Sequence, residues 1–376
     1  MAWVFWISLG LIVYTYLGYP LLLLILGWWR VRPIARGAIY PRVSLIIPVY
    51  NQESRIQRKL ENTFALDYPA DRLEIIVAFD GSTDRSYEIA SKISDPRLRL
   101  LPLGKRRGKH YAQGEALDIA TGEIVVLTDA GITLPPDSLK RMVSNFADPA
   151  VGCVSSVDKV IDDKGDVNAE GAYIRYDMFL RKAESAIGSS TGMSGSFYAL
   201  RRDLTDPWIP DLSNDFYVPL LAVMRGYRAV LDDGAIGYYM VVASYGEEFT
   251  RKVRTIVHGI DVLICFSGIL NPFRFGFYSL EVISHKLLRW LIPFLMLATL
   301  ISNLFLLGNG IAYNIMLGGQ AVLYLVAIVA RIMPRLQEIT IVRLVYFFVV
   351  VNLSILYAWY KRALGDRYIL WEPSKR

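Results

Sequence analysis

Two aspartates stand where apolar runs of strand length give out. Asp80 closes "IIVAFDGSTD" and Asp129 closes "EIVVLTDAG", while a third acid, Asp215, opens the apolar helical pattern "NDFYVPLL". Each alone has an ordinary explanation as a turn former or a helix N-cap. Together, acids at the ends of neighbouring strands and at a helix start form a cluster suited to a diphosphate and a divalent cation. Positive charge balances them. "LGKRRGKHYAQGEAL" sets Lys105, Arg106, Arg107 and Lys109 beside Gly104 and Gly108, just ahead of a helix, which suits an anion or a solvated basic loop. Arg251 and Arg254 in "EEFTRKVRTIVHG" share one helical face, where the alternative is a membrane-surface helix whose cations reach lipid phosphates. His110 stands beside Lys109 and within reach of a phosphate; His258 follows the arginine pair; His285 sits at a membrane edge.

These groups need a scaffold, and the chain between about Pro41 and Glu247 supplies the pattern of one. Strand-length runs "VSLIIPV", "LEIIVAF" and "EIVVLT" alternate with helical segments near Glu53–Phe64, Asp84–Ile93 and His110–Ala120. That alternation predicts an α/β domain built on a mostly parallel, Rossmann-like sheet. Ligands of such sheets bind beyond the C-terminal strand ends, where Asp80 and Asp129 fall. Cys153 and Cys265 lie far apart in apolar surroundings, so they give neither a disulfide framework nor a metal spacing.

The flanks differ in kind. Of 376 residues, 53% are apolar, more than one soluble core absorbs. Four apolar spans, Trp3–Trp29, Leu288–Leu307, Ile311–Met333 and Ile339–Tyr360, have the length of membrane helices. Arg30, Arg32 and Arg36 follow the first at once, which predicts a cytosolic middle domain. The expected segments are a membrane helix at 1–29, a linker at 30–41, the α/β domain at 42–247, interfacial amphipathic helices at 248–286, about three membrane helices at 287–360, and a basic tail at 361–376. The net charge of +6 suits an anionic substrate or an acidic lipid surface. Without a dense basic and aromatic patch, no nucleic acid partner is expected.

The ordered set "IPVYN…FDGSTD…GK…TDA…SGSFYALRRDL…NDFYVPL…RKVRT" resembles the membrane-integrated glycosyltransferases of family 2, over nearly the whole chain. The resemblance implies a GT-A type domain between membrane helices. Residue by residue, it implies that Pro48, Tyr50 and Glu53 line a base pocket, that Asp80 holds base or ribose, and that Lys109 approaches the nucleotide. Asp129 matches the first acid of the metal motif. Ser194 and Gly195 match the loop on the acceptor side, with Asn214 beside it. Asp215 matches the catalytic base, and Arg251 and Arg254 match the basic motif that meets the diphosphate. Phe79, Gly131 and Asn214 replace acids that are common in the family, and Thr255 stands where processive synthases carry tryptophan.

The implied activity is inverting transfer of a sugar from a nucleotide sugar to a lipid-linked or glycan acceptor, at the cytosolic face of a plasma (inner) membrane among its lipids. A Mg or Mn ion would assist, held by Asp129 and the diphosphate, with metal-independent neutralisation by Lys109, Arg251 and Arg254 as the rival. A processive exopolysaccharide synthase and an inactive, membrane-anchored nucleotide-sugar-binding protein are the alternatives.

Overall fold

In the computed structural model, described over residues 1–161, 172–240 and 245–365, the chain divides into two units. The first takes residues 1–22, 245–258 and 280–365; the second takes 23–240 and 259–279.

The second unit is the α/β domain. Its strands are β1 (Val43–Val49), β2 (Leu73–Asp80), β3 (Leu98–Leu103), β4 (Ile124–Thr128), β5 (Val151–Ile161), β6 (Phe197–Arg201) and β7 (Arg228–Met240). They form one sheet in the order β3-β2-β1-β4-β6-β5-β7. β1, β2 and β4 are almost wholly buried, which is why their sequences run apolar without alternation. The pairs β1/β2, β1/β4 and β2/β3 are parallel, so β1, β2 and β4 end at one edge. The helices Ile56–Phe64, Ser86–Ser91 and Lys109–Ile119 stand where the sequence pattern placed them, with no end shifted by more than three residues.

β6 breaks the parallel run. It is antiparallel to both neighbours, with Thr128 opposite Phe197 and Ser155 opposite Tyr198. An antiparallel strand starts where its neighbours finish. The residues just before β6, Ser194 to Ser196, therefore come to the edge at which β4 delivers Asp129. β5 also runs toward that edge and carries Asp158 near its end.

The other unit is helical. It holds all or most of Ala2–Gly27, Phe277–Leu304, Ile311–Ile332 and Thr340–Ala363, each long and apolar enough to cross a membrane. The sequence placed the start of the second span at Leu288; the helix that carries it begins at Phe277. Partly buried polar groups tie the bundle together: Tyr14 and Ser284 share a hydrogen bond of 2.9 Å, and the Trp359 indole donates to the Trp290 carbonyl at 3.0 Å. Outward positions such as Trp3, Ile311, Ile332 and Ile341 are exposed and apolar, as lipid contact requires. The helix Tyr245–Cys265 carries Arg251 and Arg254 in this unit, and Lys252 lies over the Phe347 ring. Residues 366–376, most of the expected tail, fall outside the described residues.

Candidate active site

Asp80 ends β2 and is buried. Its two carboxylate oxygens accept from the backbone N–H groups of Arg107 (2.7 Å) and Gly108 (2.8 Å). The basic loop is thus pinned to the sheet by its own backbone. Gly81 makes the close approach possible: its φ is +63°, and a Cβ there would come 2.4 Å from the Arg106 nitrogen. Asp84 works in the same way, accepting from the Glu53 N–H at 2.9 Å and from the Ser86 N–H at 3.0 Å. The acids of "DGSTD" hold backbone turns in register.

Around them lies the expected nucleotide side. Pro48 is half-buried near the end of β1 and Tyr50 follows it. The Arg106 guanidinium lies 3.9 Å from the Tyr50 ring centre, and that of Arg107 lies 3.4 Å from the Tyr111 ring centre. Cations on aromatic faces give a flat surface suited to stacking. Glu53 stands on the exposed rim and accepts from the Arg85 N–H at 3.1 Å.

The charged centre gathers around Gly195. Lys109, first residue of its helix, places its ammonium 2.6 Å from Asp129 Oδ1 and 2.8 Å from the Gly195 carbonyl. The Asp129 N–H donates to the Ser196 carbonyl at 2.9 Å. A Cβ on Gly195 would come 3.0 Å from Asp215 Oδ2, so any side chain there would press on this carboxylate. Asp215 accepts from the Ser213 hydroxyl, and its carbonyl accepts from the Met193 N–H at 2.8 Å. The N-cap of its helix is Ser213, so the position of Asp215 is not explained by capping. Asp129, Lys109, Ser194, Gly195, Asn214 and Asp215 therefore come together as expected, while Arg251 and Arg254 belong to the other unit.

Several groups here carry no motif. Asp158 accepts from the Ser196 hydroxyl at 2.7 Å and from the Ser156 hydroxyl at 3.3 Å, and Ser194 shares a 2.9 Å bond with Ser196. Burial raises the Asp158 carboxyl above its usual range, against the pull of those hydroxyls and of Arg181. Arg181 pairs with Asp177 at 2.8 Å. Desolvation opposes its charge, but the fields of Asp177, Asp215, Asp158 and Glu184 outweigh this and hold the guanidinium above its usual range. Lys59, on the helix Ile56–Phe64, sends its ammonium to the Thr128 hydroxyl (3.1 Å) and the Ile132 carbonyl (2.8 Å), on either side of the Asp129 turn. Burial pulls its pKa down to about 7 against the opposing field of Asp129. In sequence, Lys59 and Arg181 read as ordinary polar members of amphipathic helices. Asp158 differs only as an acid inside a strand run.

Among the described residues, no three His, Cys, Asp or Glu side chains converge as metal ligands. Asp129 is the one carboxylate at its turn, and a lysine already neutralises it. Such a donor set fits a divalent cation only as a shared ligand, completed by substrate phosphate oxygens and water.

Comparison with known proteins agrees with this geometry. Residues 44–207 match the family model described as glycosyl transferase family 2. This stretch is a glycosyltransferase family 2 domain. The mannosyltransferase PcManGT of Pyrobaculum calidifontis, solved in complex with GDP-Man and Mn²⁺, aligns over 97% of this chain and 100% of its own, at 25% identity and a TM-score of 0.73. The fold is thus GT-A-like, as expected, with membrane-length helices before and after the domain in chain order. A beta-monoglucosyldiacylglycerol synthase of Synechocystis sp. is 31% identical over 44% of this chain and 36% of its own length. A poly-beta-1,6-N-acetyl-D-glucosamine synthase of Staphylococcus aureus is 26% identical over 63% of this chain and 60% of its own. The chain therefore spans between about a third and three fifths of the length of these two relatives.

Proposed function

We propose that this chain is an inverting glycosyltransferase that moves a sugar from a nucleotide sugar to a lipid-linked or glycan acceptor at the cytosolic face of a membrane. The observation that carries the reading is the meeting at Gly195 of a cation and a carboxylate, Lys109 on its carbonyl and Asp215 against its Cα. Breaking a glycosidic bond to a diphosphate builds negative charge on the leaving phosphate, which needs a fixed positive partner. Lys109 supplies one. Arg251 and Arg254 are proposed to add to it. Asp215 takes the proton from the acceptor hydroxyl as that oxygen attacks the anomeric carbon, which inverts it. Tyr50, with Pro48 and Glu53, frames the base, while Asp80 sets the loop beneath the ribose. Ser194, Gly195 and Asn214 shape the acceptor side.

Asp129 and the diphosphate would hold a Mg²⁺ or Mn²⁺ ion, which when bound supplies further positive charge at the leaving phosphate. The likeness to a mannosyltransferase solved with GDP-Man and Mn²⁺ supports both donor class and metal. Arg30, Arg32 and Arg36 after the first apolar span support a cytosolic domain at a plasma membrane. Likeness to the synthase of a poly-N-acetylglucosamine favours a second reading, processive transfer, which a product ladder rather than a single product would reveal.

The test is a screen of the purified full-length chain against GDP- and UDP-sugars, with Mn²⁺ titrated against nucleotide binding. Consumption of one nucleotide sugar, with affinity that rises with Mn²⁺ in the native protein but not in Asp129→Ala, is expected. No consumption of any donor would refute the transferase, and full turnover in excess chelator would refute the metal.

A further inference from the structure

Lys109 and Asp215 sit on different helices 106 residues apart in sequence, yet both must meet one substrate. Two contacts join those helices. Gln113, four residues after Lys109 and so on the same helical face, accepts from the Asn214 side-chain amide at 2.7 Å. Both residues are buried, with exposures of 0% and 1%. Next to them the Trp208 indole donates to the His110 carbonyl at 2.8 Å. The same ring presses on Gly114, where a Cβ would come 2.9 Å from it, and meets the Tyr217 ring edge-on at 6.1 Å. Tyr217 belongs to the helix of Asp215.

We infer that the Gln113–Asn214 amide pair is a positioning element for the proposed transfer, fixing the base Asp215 relative to the phosphate-facing Lys109. The inference rests on the proposed function and goes beyond it, because neither side chain is assigned to the reacting atoms through this contact. Asn214 is the residue immediately before Asp215, so a shift of its amide is passed directly to the base. Lys109 is one helical turn from Gln113, so the same amide sets the reach of its ammonium to the Gly195 carbonyl. Displacement of a reacting group by about 1 Å costs on the order of 100-fold in rate.

The pair also has a chemical signature. The Gln113 Nε2 atom is buried and makes no hydrogen bond among the described residues. A carboxylate at position 214 would have the shape of the asparagine and would accept from that amide after a flip of Gln113. A leucine at either position offers nothing and leaves the partner amide buried and unpaired, a costly state.

The experiment uses the full-length protein in lipid nanodiscs with the donor identified by the nucleotide-sugar screen. Gln113→Leu and Asn214→Leu should each lower kcat by about 10- to 100-fold while the Kd of the nucleoside diphosphate changes less than about 3-fold. The double variant should fall no further than the worse single one, since both break one contact. Asn214→Asp should recover most of the rate that Asn214→Leu loses. Native kcat in Gln113→Leu, multiplicative losses in the double variant, or a kcat that falls only in step with Tm and nucleotide affinity would each overturn the inference in an active enzyme. A native protein that consumes no donor would overturn the transferase reading itself, and with it this element's role.

Discussion

The two halves of the sheet edge use aspartate in opposite ways. On the β2 side, Asp80 has both oxygens filled by backbone N–H groups of the loop it holds, and Asp84 accepts from two backbone N–H groups and from the hydroxyl of its neighbour Ser86. On the β4–β6–β5 side, Asp129, Asp158 and Asp215 meet lysine and serine side chains, partners that can turn toward a substrate. The first half is a brace and the second is an instrument. The difference follows from topology. β2 delivers a loop that is tied down, whereas the antiparallel β6 begins at the edge beside the end of β4 and brings the short Ser194–Ser196 segment into the midst of the charges. One residue type in one fold thus mainly ties down backbone on one side and, on the proposed reading, serves the transfer on the other.

That contrast can be broken from the brace side first, where the effect is largest. Asp80→Ala should strip two backbone donors of their acceptor, the buried Gly108 N–H at about 1–3 kcal/mol and the part-buried Arg107 N–H at less. Tm, nucleotide affinity and turnover should fall together, read by thermal unfolding beside a donor assay. An Asp80→Ala protein with native Tm and selective loss of nucleotide binding would make Asp80 an instrument after all. Next in size, Lys109→Met should cost about 100-fold in turnover, as for loss of one fixed donor to a developing charge. Tm should hardly move, because Asp129 is partly exposed and can take up water. Unchanged turnover would remove the cation from the mechanism.

Smaller still is an effect of pH. Lys59 has a pKa lowered from 10.5 to about 7 in the folded chain, so between those values the unfolded chain binds more protons. Stability then rises with pH over that window. The Lys59→Met variant has no such slope, so native protein should gain on it steadily from about pH 7 to about pH 10 in unfolding experiments. A constant gap would mean that the ammonium stays charged beneath the Asp129 turn.

Much of the brace was legible in the sequence, and less of the instrument. "VSLIIPV", "LEIIVAF" and "EIVVLT" announce their strands because full burial leaves an uninterrupted apolar run, and the aspartates after them mark the strand ends. The membrane-length helices are readable for the same reason, one solvent imposing one composition. What sequence reading assigned to Asp80 as a contact to base or ribose is, in the structure, first a pair of backbone hydrogen bonds. Asp158, Arg181, Lys59 and Gln113 escaped because each lies inside a regular element, where a polar residue reads as a solvated face. Their role depends on which strands pair, and the insertion of β6 between β4 and β5 joins segments far apart in the chain. No local spacing records that neighbour relation.

The central claim is that Asp215 is the base. The Asp215→Asn variant of the full-length protein separates it from every structural role, since the amide keeps the shape and can still accept from Ser213. Isothermal titration with the nucleoside diphosphate, beside turnover of the nucleotide sugar with acceptor, gives both quantities on one sample. The nucleotide Kd should stay within about 3-fold of native while turnover falls by at least about 1,000-fold, in line with loss of a positioned proton acceptor. Turnover within about 10-fold of native, or losses of binding and turnover in equal measure, would contradict the claim.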